Sequence, residues 1–158
     1  MLIYWILTDI FVNYYPNQIL IIMNLKRFLL SILAVLVTFE VLNFLIHSVL
    51  LSGLYEETAS LWREDMMDFM WMMYIADLLF VVIFTTIYTR WVKTPGMLSG
   101  ILYGLLVGLM MNTVGMLNQF IIYPISANML WWWLITGLIQ FVICGLVLGI
   151  IYKPKLGE

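Results

Sequence analysis

With 158 residues, 65% of them apolar and only 10% charged, the chain lies far from the roughly 45–50% apolar and about 25% charged make-up of water-soluble domains. That excludes a soluble globule and a disordered chain, and the single Cys144 excludes an internal disulfide framework. A dispersed net charge of −2 gives no basis for a nucleic-acid partner. What remains is an integral membrane protein, and since a spanning helix takes roughly 20 apolar residues, the length allows about four spans and no extramembrane domain.

Residues 1–26 form an N-terminal segment that fits poorly. Residues 1–22 lack a basic leader and are interrupted by Asp9, Asn13, Pro16 and Asn17, so they read neither as a secretory signal nor as a span. They are expected to be a peripheral interfacial stretch, or to lie upstream of a natural start at Met23-Asn24-Leu25-Lys26-Arg27. Residues 27–155 then form the transmembrane domain. Apolar runs predict spans over 28–51, 69–89, 97–117 and 130–152, separated by polar segments carrying Gly53, Pro95 and Pro124. The expected architecture is all-α, an up-down-up-down four-helix bundle.

Charge position orients it. Lys26, Arg27, Arg90, Lys93, Lys153 and Lys155 fall on one side of a four-span topology, leaving only Arg63 of the seven basic residues for the other. The positive-inside rule then places both termini in the cytoplasm of a multi-pass cell-membrane protein. The opposite side carries the acidic loop of Glu56, Glu57, Glu64, Asp65 and Asp68, with Trp62, Trp131, Trp132 and Trp133 as an outer aromatic belt and Trp91 marking the inner one.

Ionisable side chains within a span are costly, roughly 2.5–3.5 kcal/mol each near the centre on insertion scales, and so mark candidate functional positions. Three occur: Glu40, His47 and Asp77. On the first span Glu40, Asn43 and His47 share a face by helical spacing; on the second, Tyr74, Asp77, Val81, Thr85 and Tyr88 do the same. At about 1.5 Å per residue, Glu40 and Asp77 both lie roughly 18 Å from the basic end, with Asn112 and Gln140 within about a turn of that depth. A midplane polar layer of Glu40, Asp77, Asn112 and Gln140 is therefore expected. It reads either as interhelical hydrogen bonding, or as a Glu40–Asp77 pair handling a proton or cation.

No metal site is expected, because the sequence has one histidine and none of the HxxxH or ExxH spacings. No cofactor is expected either; the alternative is a b-type haem held by His47 with a methionine, or by two His47 copies across a homodimer. Otherwise His47 is a neutral side chain bonded to a loop or helix. Gly100, Gly104 and Gly108 form a GxxxGxxxG ridge on the third span, extended by Asn112 and Gly115, and Gly137, Gly145 and Gly149 supply small residues on the fourth. The favoured partner of the ridge is the fourth span; another copy or another protein is the alternative.

In the first acidic-side loop, Thr58 or Ser60 would cap a short helix. Tyr55, Trp62 and Arg63 are candidate recognition residues, Arg63 pairing with a carboxylate or a lipid phosphate. Ile121, Ile122, Tyr123, Pro124 and Ile125 would fold over the mouth of the bundle and shield His47. Nucleotide-loop, dinucleotide, CxxC and nucleophile-elbow motifs are absent from the sequence.

The order Glu40 to His47, Tyr55, Leu61-Trp62-Arg63, Tyr103-Gly104 with Gly108, Tyr123-Pro124, and Gly145 to Tyr152-Lys153-Pro154 resembles small bacterial four-helix inner-membrane proteins of unassigned activity. The resemblance covers residues 24–155 and implies a bacterial inner membrane. Two functions follow as expectations: a noncatalytic accessory or interaction subunit, bound to lipid and to another membrane protein or a second copy, or a small oligomeric transporter or channel passing protons or a small solute by Glu40 and Asp77.

Overall fold

A computed structural model describes residues 21–22, 24–152 and 155–156. The expectation for the first 20 residues lies outside the described residues. Four helices long and apolar enough to cross a membrane occupy Leu25–Leu50, Met66–Trp91, Met97–Ile122 and Ala127–Ile151. The chain is thus an all-α, multi-pass membrane protein whose helices contact lipid.

The first span is α-helical over Leu25–Asn43 (α1) and then widens into a π-helical segment, Phe44–Leu50. Asn24 starts α1 by accepting the Arg27 N–H on Oδ1 at 3.2 Å, which satisfies one of the donors every helix start leaves open. A short helix, Ser52–Glu57 (α2), and two 3-10 turns, Ala59–Leu61 and Met66–Phe69, lead into Met70–Trp91 (α3). Thr58 ends α2 by donating to Leu54 O at 2.8 Å, and Ala59–Leu61 has no side-chain cap, so neither Thr58 nor Ser60 opens a helix here.

Met97–Ile122 forms α4, and Ala127–Ile151 forms α5 with Ser126 as its N-cap, Oγ accepting the Met129 N–H at 3.2 Å. Both extend beyond the predicted spans. α4 runs five residues past 117 because no proline occurs before Pro124, and α5 starts early because Ser126 supplies a cap that hydropathy alone does not register. Two two-residue strands, Ile21–Ile22 (β1) and Lys155–Leu156 (β2), pair antiparallel and bring the segments flanking α1 and α5 side by side.

Helix α5 is central. It packs along α4 and along α1, and α3 packs on α1. The α4–α5 contact is a glycine seam: a Cβ at Gly100 would collide with the Gly145 carbonyl and stand 3.0 Å from Gly149 Cα, and one at Gly104 would collide with the Phe141 carbonyl. Gly108 lies on the Phe141 side chain, and its Cβ would stand 2.8 Å from Phe141 Cβ. Lipid tails are as apolar as leucine, so close backbone approach and dispersion supply what hydrophobic burial supplies in water.

Between α3 and α4 the join is made by side chains. Tyr103 donates to Phe84 O at 2.8 Å, and Tyr88 accepts the Gly96 N–H at 3.0 Å, bracing the turn between the helices. Phe39, Phe80, Phe84 and Phe141 fill the interior between them, with Phe80 edge-on to Phe141 at 5.3 Å between centroids. Several hydroxyls inside the spans return to their own helix, as Ser31 does to Arg27 O at 2.7 Å and Thr86 to Val82 O at 2.7 Å, which satisfies those donors without water.

The end bearing Lys26, Arg27, Arg90 and Lys93 is the tightly packed one. Toward the acidic end the helices separate. Val81, Phe84, Thr85 and Tyr88 of α3 are buried, whereas residues 71–79 of the same helix are exposed except Asp77, which is half-buried. Tyr74, at 54% exposure, therefore does not join the inward stripe that its spacing predicts. Gly115 likewise has nothing within 4 Å of where a Cβ would be, so the seam does not extend to it.

Candidate functional site

The separation at the acidic end leaves a cavity of about 310 Å³. Its floor is Phe39 and Phe141, its roof Tyr55 and Trp62, and its walls come from His47, α4 and α5. The roof differs from the expected one. Ile121, Ile122 and Tyr123 are 80%, 70% and 45% exposed and turn away from the bundle, because α4 stays helical through Ile122; only Ile125 folds in, onto Met129 and Trp133. The first loop provides the cover instead.

Tyr55 organises that cover. Its hydroxyl accepts the Trp133 Nε1–H at 2.9 Å and lies 2.7 Å from His47 Nδ1. An indole N–H can only donate, so Trp133 takes one lone pair of the Tyr55 hydroxyl, and the bond to His47 Nδ1 closes with either partner as donor. Burial raises the Tyr55 phenol above its ordinary value, opposed in smaller part by the Trp133 hydrogen bond. The rings of Tyr55, Trp62 and Trp133 pack on one another at 5.7 to 6.3 Å between centroids. Trp133 is thus a buried wall and not part of the outer aromatic belt, where Trp131 and Trp132 remain exposed.

The four polar residues of the expected layer have different surroundings. Gln140, 4% exposed, donates through Nε2 to Asn43 Oδ1 at 2.8 Å and to Phe39 O at 3.2 Å, tying α5 to α1. Asn112, 8% exposed, rests against Gly137, where a Cβ would meet its amide, and its Nδ2 has no hydrogen-bond partner. Both line the cavity. Glu40 and Asp77 do not; they stand on α1 and α3 within reach of each other's charge, and Asp77 Oδ2 is buried without a partner. Among the described residues no three His, Cys, Asp or Glu side chains converge, so Glu40, His47 and Asp77 form no single cluster.

Arg63 lies outside the cavity. It holds Asp65 through two hydrogen bonds, Nε to Oδ1 at 2.6 Å and a second guanidinium nitrogen to Oδ2 at 2.9 Å, and covers the Phe69 ring at 4.3 Å. This hydrogen-bonded guanidinium keeps the exposed Asp65 carboxyl below the ordinary aspartate range. Of the predicted recognition residues, Tyr55 and Trp62 therefore meet at the cavity, and Arg63 is already paired.

Sequence reasoning missed Thr136, Met116 and Gln119 as cavity residues. Thr136 spends its hydroxyl on Trp132 O at 2.7 Å, which gives it the periodicity of any core threonine. Gln119 falls just past the predicted third span, 97–117, because the polar pair Asn118-Gln119 interrupts the apolar run. No protein-family model, no curated protein and no solved structure matches the chain.

Proposed function

We propose that this chain is a noncatalytic accessory subunit that joins another membrane protein through the acidic-end half of α3, with the acidic loop outside and both termini in the cytoplasm of a bacterial inner membrane. The observation that carries this reading is the unpacked half of α3. Residues 71–79 make almost no buried contact within the chain, yet they bring Asp77 and Tyr74 to membrane depth. A half-buried aspartate at that depth is costly in lipid, and a polar neighbour on an adjoining helix relieves that cost. The orientation rests on the basic residues at the packed end.

Native mass spectrometry of protein extracted gently from its own membrane tests this. A stoichiometric complex is expected that is lost with Ile75→Trp on α3 and survives Leu106→Trp on the lipid-exposed flank of α4. A bare monomer would overturn it. The second reading, a small oligomeric proton or cation pathway, draws on the mutual reach of Glu40 and Asp77. It requires a homo-oligomer whose flux in vesicles is abolished by Glu40→Gln or Asp77→Asn with assembly intact.

A further inference from the structure

The acidic-end cavity has an unbalanced set of hydrogen-bonding groups. Trp62 Nε1 and Asn112 Nδ2 are both buried, both belong to cavity-lining residues, and neither has a partner. Two such N–H donors on one cavity is unusual, because buried polar groups in folded proteins are nearly always paired and an unpaired one costs about 1–3 kcal/mol. The indole is the firmer of the two, since it has no acceptor alternative and no flipped form.

The rest of the lining narrows what completes this set. No Asp, Glu, Lys or Arg lines the cavity, so a charged ligand would lie at membrane depth with no countercharge. The rings of Tyr55, Trp62 and Trp133 pack on each other and leave no box between them for a quaternary ammonium. Aromatic walls with a few donors suit a ligand that is apolar in body and acceptor in its polar atoms. A carbonyl oxygen accepts and never donates, which a hydroxyl does not match. The volume of about 310 Å³ is at the lower end for small-molecule sites, roughly 300–1,000 Å³, and admits a single ring or a glyceryl ester head while an alkyl tail stays outside. No α3 residue lines the cavity, so this helix does not seal it from the bilayer.

We infer that this cavity binds the head of a neutral, carbonyl-bearing amphiphile from the bilayer, with Trp62 and Asn112 donating to its oxygens. The carbonyl can come from two sources, a lipid-soluble ring diketone of the quinone type or the ester of a glyceride. The inference is independent of the accessory-subunit reading, because it is tested on the isolated chain.

The test uses the full chain in dodecyl maltoside, a detergent without carbonyls, with a short-chain benzoquinone and monoolein as probes. Saturable quenching of tryptophan fluorescence by the benzoquinone is expected, together with a lowered carbonyl stretching frequency of the bound probe in infrared difference spectra. Trp62→Phe keeps the ring and removes the donor, and Asn112→Leu removes an amide that bonds to nothing. Each is expected to weaken binding about three- to tenfold, the worth of one neutral hydrogen bond, and to diminish the infrared shift. Trp71→Phe on the exposed face of α3 is expected to change neither. Benzoquinone binding that monoolein does not displace assigns the ring diketone; displacement by monoolein, or binding of monoolein alone, assigns the glyceride ester. Quenching that never saturates, or binding that is unchanged in both donor variants, overturns the proposal and leaves the two donors to water.

Discussion

The Tyr55 hydroxyl serves two partners, and removing it alone would strand both. With Tyr55→Phe, the Trp133 N–H and His47 Nδ1 lose their shared partner inside a half-buried pocket. The expected cost is about 1–3 kcal/mol of stability, read as a lower midpoint in detergent-induced unfolding; an unchanged midpoint would refute the hydroxyl's role. The phenol's raised pKa gives this contribution a pH signature. A group whose folded value lies above its unfolded one contributes fully below the unfolded value, about 10 for tyrosine, and loses that contribution as pH rises through the folded value. The wild-type advantage over Tyr55→Phe is therefore flat at neutral pH and disappears only in strong alkali. At this scale the sequence was partly legible. The sequence leaves a loop or a helix as the partner of His47, and Tyr55 and Trp62 stand out by type. Their inward direction was not legible, because Ser52-Gly53 marks a turn without fixing the direction in which α2 leaves it.

The seam between α4 and α5 depends on Gly100 and Gly104 meeting backbone of α5 while Gly108 meets the Phe141 side chain, so its glycines are not equivalent. Gly104→Ala or Gly145→Ala forces a methyl group into a neighbouring carbonyl or Cα, at an expected cost of about 1–3 kcal/mol or more for overpacking. Gly115→Ala adds a methyl group in open space and is expected to stabilise the helix by about 0.5–1 kcal/mol. Unfolding midpoints of the three variants, measured side by side, check the ordering, and equal shifts would contradict the seam. Helix existence and number were legible from the apolar runs, since 20-residue hydrophobicity leaves few alternatives. Two features were not. The π segment depends on how Phe44–Leu50 packs under Leu51, and no residue within it breaks the α pattern. Tyr88 and Tyr103 join α3 to α4, yet a tyrosine in a membrane helix reads as core by default and its hydroxyl partners lie on other elements.

Across the whole molecule, the basic residues and the packed end coincide, and the acidic loop and the cavity coincide at the other. This gives the orientation a direct check. Cys144 is buried and silent, so Ala59→Cys and Lys93→Cys report on the two exposed connections. A membrane-impermeant maleimide is expected to label Ala59→Cys in intact cells and Lys93→Cys only after permeabilisation, and the reverse pattern would invert the topology. The glycine seam has a further consequence for motion. Backbones locked together from Gly96 to Gly104, with Phe141, Gly145 and Gly149 against them, form the region of highest local stability, whereas α4 beyond Asn112 is mostly exposed. Opening free energies follow contact density. Fluctuation is therefore graded along the membrane normal, as in a clothes-peg sprung at one leaflet, and deuterium uptake should rise from the basic end toward the acidic one. A molecule arriving at the acidic end meets the part of the chain that rearranges at least cost, while the opposite leaflet keeps its shape.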